Sequence, residues 1–203
     1  RPFRGTFVPL APNDAVRRTV QLMVHDLPDV DVQLELTEDV PDVSGDAEQL
    51  QQVLINLVLN AADAMDRNGK IVIRTSRRES LERDKSGVAL FDRPDMVEIA
   101  VQDDGPGIPP QVRDNLFIPF FTTKQSGTGL GLPMCQRVVQ HHGGVLEVDS
   151  TLGQGATFRV CLPTVPTKKT RDGGADASET SGEGARVPVP AAAEQEPASA
   201  AKA

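Results

Sequence analysis

The sequence predicts a two-layer α/β sandwich on a mixed sheet. Two observations carry this reading. Segments with helical spacing and segments with strand alternation are interspersed along the chain, and several connections between them are of hairpin length. A third observation bounds the domain. Large apolar side chains almost vanish after Pro163, and residues 164–203 are mainly Ala, Pro, Gly, Ser, Thr and Glu with nearly cancelling charges. Such a segment cannot bury enough surface to offset its ordering entropy, so a disordered tail is expected there.

Residues 1–12, with Pro2, Pro9 and Pro12, read as an extended leading strand or linker. A start at Arg1 instead of Met is the start expected of a fragment. Asn13 or Asp14 can cap a helix that carries Val16, Val20, Met23 and Val24 on one face. Val30–Leu36 alternates as a strand does. Asp46 with Gln49 three residues later resembles a capping box that opens a helix to about Met65. Asn68-Gly69 turns the chain into a strand around Ile71–Thr75. Residues 76–94 are charged and irregular, which predicts a long loop before a second strand at Met96–Val101. After the Gly- and Pro-rich stretch 103–110 and a further irregular one, Leu130–His142 reads as a helix stopped by Gly143-Gly144. Strands at Val145–Asp149 and Thr157–Leu162 flank a turn containing Gly153 and Gly155. The expected organisation is a linker over 1–12, a folded domain over 13–163 and the tail.

Composition excludes several function classes. The net charge of −8 opposes nucleic acid or an anionic membrane surface as the main partner, since both select for basic patches. No apolar run approaches a membrane span, and no signal peptide is present. The two cysteines, Cys135 and Cys161, match no metal or redox spacing and read as buried thiols of a reducing compartment. With seven Phe, no Tyr and no Trp, the core must be aliphatic.

Four segments can carry chemistry. Asn56 and Asn60 stand one turn apart among Leu50, Val53, Leu54, Leu57 and Val58, and Asp63 continues the stripe. Amides in apolar surroundings need partners, and an Asn carbonyl is a hard neutral ligand suited to Mg²⁺ when a polyphosphate supplies the negative charge. Taken alone, the two amides equally suit a solvated face. Asp103-Asp104-Gly105-Pro106-Gly107-Ile108 follows a strand directly. Its glycines let a flat ligand approach the backbone, and an Asp at the turn can accept a hydrogen bond from an exocyclic amine, which adenine has and guanine lacks at the six position. The same string also makes an ordinary turn. Ser126-Gly127-Thr128-Gly129-Leu130-Gly131-Leu132 exposes backbone N–H groups ahead of a helix N-terminus, which suits a phosphate cradle or a glycine hinge. It has neither the Lys-Ser/Thr of a Walker loop nor a Rossmann spacing. Between these, Phe117-Ile118-Pro119-Phe120-Phe121-Thr122-Thr123-Lys124 reads as an apolar latch whose Lys124 can reach a polyphosphate.

The order and spacing of these segments resemble the Bergerat-type nucleotide-binding fold of histidine kinases, gyrase-type topoisomerases, heat-shock chaperones and mismatch-repair ATPases, from about Leu10 to Pro163. Glu48–Met65 is similar to the N box of that superfamily, Asp103–Ile108 to its first glycine box, Pro119–Lys124 to its F box and Gly127–Leu132 to its second. The run from His142-Gly143-Gly144 to Gly153-Gln154-Gly155-Ala156-Thr157-Phe158 resembles the kinase branch, and Asn-Ala-x-Asp-Ala at 60–64 its nitrogen-regulation type.

The resemblance implies a mainly antiparallel sheet of about five strands, three main helices on one face and a flexible lid over ATP and Mg²⁺. By it, Asn60 holds the metal, Asp103 reads adenine, the backbone of Gly127–Gly131 cradles phosphates, and Asn56 and Lys124 serve catalysis. The nucleotide-contacting set it implies is Asn56, Asn60, Asp63, Asp103, Gly105, Gly107, Ile108, Phe120, Thr122, Lys124, Gly127, Thr128, Gly129, Leu130, Gly131, Leu132 and Thr157. Hydrolytic members carry Glu where this chain has Asn56, and an amide cannot take a proton from water. The implied activity is therefore γ-phosphoryl transfer to a histidine on an upstream dimerisation domain, with a response regulator as partner. A nucleotide-binding interaction module, an ATPase and a serine-directed kinase are the alternatives. His25, His141 and His142 lack the setting of an acceptor histidine and read as structural or surface residues. The intact protein is expected to be a homodimer, with this domain cytoplasmic and the state of the isolated segment open.

Overall fold

The computed structural model describes residues 6–78, 95–124 and 127–165. Nearly all of the predicted tail, and residues 79–94 of the predicted long loop, lie outside that set. Residues 76–78 of that loop instead extend a strand, because Arg77 and Arg78 continue the pairing opposite Val97 and Met96.

In chain order the elements are β1 (Val8–Leu10), α1 (Pro12–Met23), a 3₁₀ turn at Val24–Asp26, β2 (Val30–Leu36), β3 (Val43–Gly45), α2 (Ala47–Ala64), β4 (Gly69–Arg78), β5 (Met96–Asp103), α3 (Pro110–Arg113), α4 (Gly131–His141), β6 (Val145–Ser150) and β7 (Ala156–Pro163). Five strands form one sheet in the order β2-β4-β5-β7-β6. Only the β2–β4 pair is parallel; the other pairs are antiparallel, and of these β6–β7 is joined by a connection of hairpin length. The helices cover one face, which makes the predicted two-layer sandwich on a mixed, mainly antiparallel sheet. A separate short pair, β1 with β3, realises the strand alternative for the leading residues. β3 was not legible in the sequence because three residues are too few to show alternation.

Strand alternation fills the core. Val97, Ile99 and Val101 of β5 face the helices beside Ile71 and Ile73 of β4 and Phe158, Val160 and Leu162 of β7, and all are buried. The next residue in phase on β5 is Asp103, so the period that buries three aliphatic side chains delivers one carboxylate to the same face. From the helical layer, Leu50, Val53, Leu54, Leu57 and Val58 of α2 complete the core, as their spacing predicts.

Helix starts depart from expectation in two places. α1 begins at Pro12 with Ala11 as its N-cap and no side-chain cap. Proline suits the first helical position because its missing N–H would have no partner there. Asn13, a predicted cap, is engaged elsewhere: its Nδ2 donates to the Thr37 carbonyl at 2.8 Å and its Oδ1 accepts from Thr75 Oγ1 at 2.7 Å. Asp14, the other predicted cap, pairs with Arg17 at 3.7 Å. Val24 falls in the 3₁₀ turn and is exposed.

At α2 the cap is half of the predicted box. Asp46 Oδ1 accepts from the Gln49 N–H at 3.0 Å, but the Asp46 N–H donates at 3.0 Å to Nε2 of His142, the residue that ends α4. His142 is buried and its Nδ1 lies 2.8 Å from the Val138 carbonyl, so this histidine ties the end of α4 to the start of α2. Asp46→Ala should lower stability by about 1 kcal/mol, read as a shift in the urea midpoint at constant slope. An unchanged midpoint would show that His142 alone holds the helix start.

Among the described residues no helix is long and apolar enough to cross a membrane. Cys135 and Cys161 are both buried free thiols, as composition predicted. Burial pushes both thiols above the usual range.

Candidate functional site

The α2 stripe builds one wall. Asn56 is half-buried and donates from Nδ2 to Cys135 Sγ on α4 at 3.0 Å. A Cβ at Gly131 would come within 2.8 Å of both terminal atoms of the Asn56 amide, so only glycine lets the first turn of α4 lie against it. One turn on, Asn60 Oδ1 accepts from Lys124 Nζ at 3.1 Å, and Asp63 Oδ2 pairs with the same ammonium at 2.9 Å. Arg67 balances Asp63 from the next turn at 3.2 Å. Lys124, expected to reach outward to a polyphosphate, is thus drawn back onto α2. The pair is solvent-exposed on both sides and contributes little to stability, so an incoming ligand can exchange it at small cost.

Asp103 forms the opposite end. It is 4% exposed, the single buried carboxylate among the described residues. Its Oδ1 accepts from the Gly105 N–H at 3.0 Å and the Ala156 N–H at 3.2 Å. Burial holds its pKa above the usual carboxylate value, and the two backbone donors offset that only in part. The neighbouring Asp104 points away from this end, and its Oδ1 accepts from the Lys70 N–H at 2.9 Å, fixing the loop to β4. Gly107 has φ of +72°, and a side chain there would overlap the Thr151 carbonyl.

Two adjoining hollows lie between these walls. One, of about 410 Å³, runs from Asp103 past Gly107, Ile108, Ala156 and Phe158 to Leu132. The other, of about 300 Å³, is lined by Asn56, Thr122, Gly127, Thr128, Gly129 and Gly131. Asn60, Asp63 and Lys124 border both, and so stand at the junction. An apolar slot with one buried carboxylate at its end, continuous with a polar glycine-lined cup, suits a flat base joined to an anionic chain.

Four residues expected in the site line neither hollow. Phe120 takes a positive φ of +68° and is 75% exposed, its N–H held by the Gly129 carbonyl at 2.9 Å; Phe121 lines the cup in its stead. Leu130 is the half-exposed N-cap of α4 and lines neither hollow. Thr157 sits between Ala156 and Phe158 on β7, so alternation turns it to the other face of the sheet, opposite Gln102 and Asp149. Gly105 acts through its N–H on Asp103 and lines neither hollow. Ser126 lies outside the described residues. Sequence reading missed Val112, Leu116 and Phe158 as lining groups. A signal for the first two existed: Pro109-Pro110 marks a helix start, and Val112 and Leu116 are spaced four apart behind it.

Comparison with known proteins agrees with this geometry. Residues 45–166 match the family model described as histidine kinase-, DNA gyrase B-, and HSP90-like ATPase. The chain is 38% identical over 155 residues to the sensor histidine kinase ZraS of Salmonella typhimurium, covering 75% of this chain and 30% of that protein. It is 40% identical over 127 residues to the sensory histidine kinase/phosphatase NtrB of Rhizobium meliloti, covering 61% of this chain and 32% of that one. The chain therefore spans about a third of the length of these relatives. Among solved structures, the nucleotide-free catalytic domain of histidine kinase ThkA superposes with a TM-score of 0.66 at 30% identity, covering 81% of this chain and 99% of that one. ThkA has also been solved in complex with the response regulator protein TrrA, with a TM-score of 0.62 at 28% identity, covering 80% of this chain and 43% of that one. The matched span runs from the last residue of β3 through all of β7 and takes in both hollows, the α2 stripe and the Asp103 turn. This chain belongs to the histidine kinase-, DNA gyrase B- and HSP90-like ATPase family.

Proposed function

We propose that this chain binds Mg·ATP and acts as the catalytic domain of a sensor histidine kinase of the nitrogen-regulation type. In the intact protein the γ-phosphoryl group passes to a histidine on an upstream dimerising segment, and from there to a response regulator. The observation that carries the kinase reading is Asn56. It is an amide pinned between Gly131 and Cys135 at the position where, by resemblance, hydrolytic relatives have a carboxylate. An amide cannot activate water, so a nucleotide held here is spared for a protein acceptor. The kinase relatives and the ThkA complex with a response regulator support the same partners.

The two ends of the site divide the nucleotide between them. Asp103 accepts the adenine amine on the oxygen that the Gly105 and Ala156 N–H groups do not use, while Ile108 and Phe158 give the base its apolar walls. The backbone of Gly127–Gly131 and the N-terminus of α4 face the phosphates. Asn60 Oδ1 and Asp63 Oδ2 fit a cation, because both already converge on the single ammonium of Lys124. Among the described residues no group of three His, Cys, Asp or Glu could hold a metal, so phosphate oxygens would have to complete the coordination. Mg²⁺, when bound, would supply charge neutralisation along the triphosphate. Lys124, displaced from the two oxygens, is then free to turn to a phosphate. Where a kinase domain draws on ATP its compartment is the cytoplasm, whether or not the parent protein is attached to a membrane.

The test is a calorimetric titration with ATP and with GTP, with and without Mg²⁺, together with a phosphate-release assay. Magnesium-assisted binding of ATP, exclusion of GTP and hydrolysis far below one turnover per minute are expected. Absence of ATP binding by the folded domain would leave an interaction module. Rapid turnover lost in Asn56→Ala would make it an ATPase.

A further inference from the structure

The base site is made by two loops far apart in sequence, the Asp103–Ile108 turn and the turn joining β6 to β7. They meet backbone to backbone. The Gly153 N–H donates to the Pro106 carbonyl at 2.7 Å, and side chains at Gly107 or Gly155 would overlap the carbonyls of Thr151 or Asp103. At the seam stands the half-buried Ser150, the last residue of β6. Its Oγ accepts from the Ile108 N–H at 2.8 Å and donates to the Gly155 carbonyl at 2.8 Å. One hydroxyl, with its rotor fixed by both bonds, therefore holds the backbone of a residue that walls the base slot and of the glycine packed on Asp103.

We propose that Ser150 is a positioning residue for nucleotide binding, setting the spacing between the Ile108 wall and the Asp103 carboxylate. This rests on the base site proposed above. Ser150 touches neither hollow and acts only through Ile108 and Gly155. Alanine removes both bonds at once and leaves the Ile108 N–H without its partner, so the wall can drift from the carboxylate that reads the base. Threonine keeps the hydroxyl and suits a strand end.

The experiment is calorimetric titration of wild type, S150A and S150T with ATP, ADP and GTP, with thermal melts and amide exchange at Ile108. S150A should weaken ATP and ADP alike by about tenfold, because the fault lies at the base and not at the γ-phosphate. It should narrow the preference for ATP over GTP and lose protection at the Ile108 amide, and S150T should restore all three. ATP affinity and selectivity unchanged in S150A would overturn the proposal while leaving the nucleotide site standing. Weakened binding that only tracks a lowered melting temperature, with selectivity intact and no rescue in S150T, would overturn it as well, reducing Ser150 to a structural role. Failure of the wild type to bind ATP would overturn the site reading and this proposal with it.

Discussion

Replacing Asp103 by Asn is expected to weaken ATP binding by at least about a hundredfold while leaving the fold as stable as before, or more so. The affinity loss follows from exchanging an acceptor for an amide donor opposite the donor amine of the base, which leaves two buried donors facing each other. The stability effect has the opposite sign because the folded state holds this carboxyl above its ordinary pKa, chiefly by burial. For a group so raised, the stability it contributes is full below its unfolded pKa and lost as pH rises through the folded value. At neutral pH the ionised side chain is therefore a cost, and Asn removes it while its carbonyl can still accept from the Gly105 and Ala156 N–H groups. The same shift sets the pH dependence of binding. ATP affinity should fall on acidification as the carboxyl takes up its proton, beginning at a higher pH than an ordinary aspartate would allow. Titration calorimetry and thermal melts of both proteins across pH 4–8 check this. A variant that binds ATP as the wild type does, or that melts well below it, would sink the account.

Gly155→Ala is expected to damage the domain most. The residue has φ of +76° and packs so closely on the strand end that any side chain would overlap the Asp103 carbonyl oxygen. A strained left-handed backbone costs about 1–3 kcal/mol, and forced overpacking about as much again, for a total of about 2–6 kcal/mol. What yields is Asp103 or the turn, so nucleotide binding should fail even below the melting temperature. Gly153 provides the control. Its φ of +79° is nearly the same, but nothing lies within 4 Å of a side chain placed there. Gly153→Ala should show the backbone cost alone, about 1–2 kcal/mol, and bind ATP normally. Equal loss in the two variants, measured by urea unfolding, would mean that the close approach to Asp103 is not the cause.

The candidate site was legible in the sequence to the extent that its residues sit on periodic elements. Asn56, Asn60 and Asp63 fall on one stripe because the helix repeats every 3.6 residues, and Asp103 shares the core-facing side with Val97, Ile99 and Val101 because a strand repeats every two. The same rule, applied at β7, turns Thr157 away from the slot. Its motif neighbours had suggested otherwise, and strand phase at Ala156 and Phe158 decided against it.

Aperiodic segments behaved differently. In the stretch after α3, one positive φ at Phe120 turns that ring to solvent and leaves Phe121 in the cup, and nothing in the order of the two residues announces the choice. The Asp46 capping box looked complete in sequence, yet its second bond comes from His142, ninety-six residues away. Lys124 lies on Asn60 and Asp63, which are more than sixty residues distant. Ser150 carried no signal of its own, because a strand-end serine is ordinary until two loops are folded against it.

By itself, then, the sequence determined the layers, the sheet, the aliphatic core and the residue types able to hold a nucleotide, since these follow from local periods and composition. Only the tertiary structure decided which loops meet, which way side chains outside the periodic elements point, and which cation stands at the Asn60–Asp63 junction. Those outcomes depend on contacts between segments remote in the chain, and no period along the chain encodes such contacts.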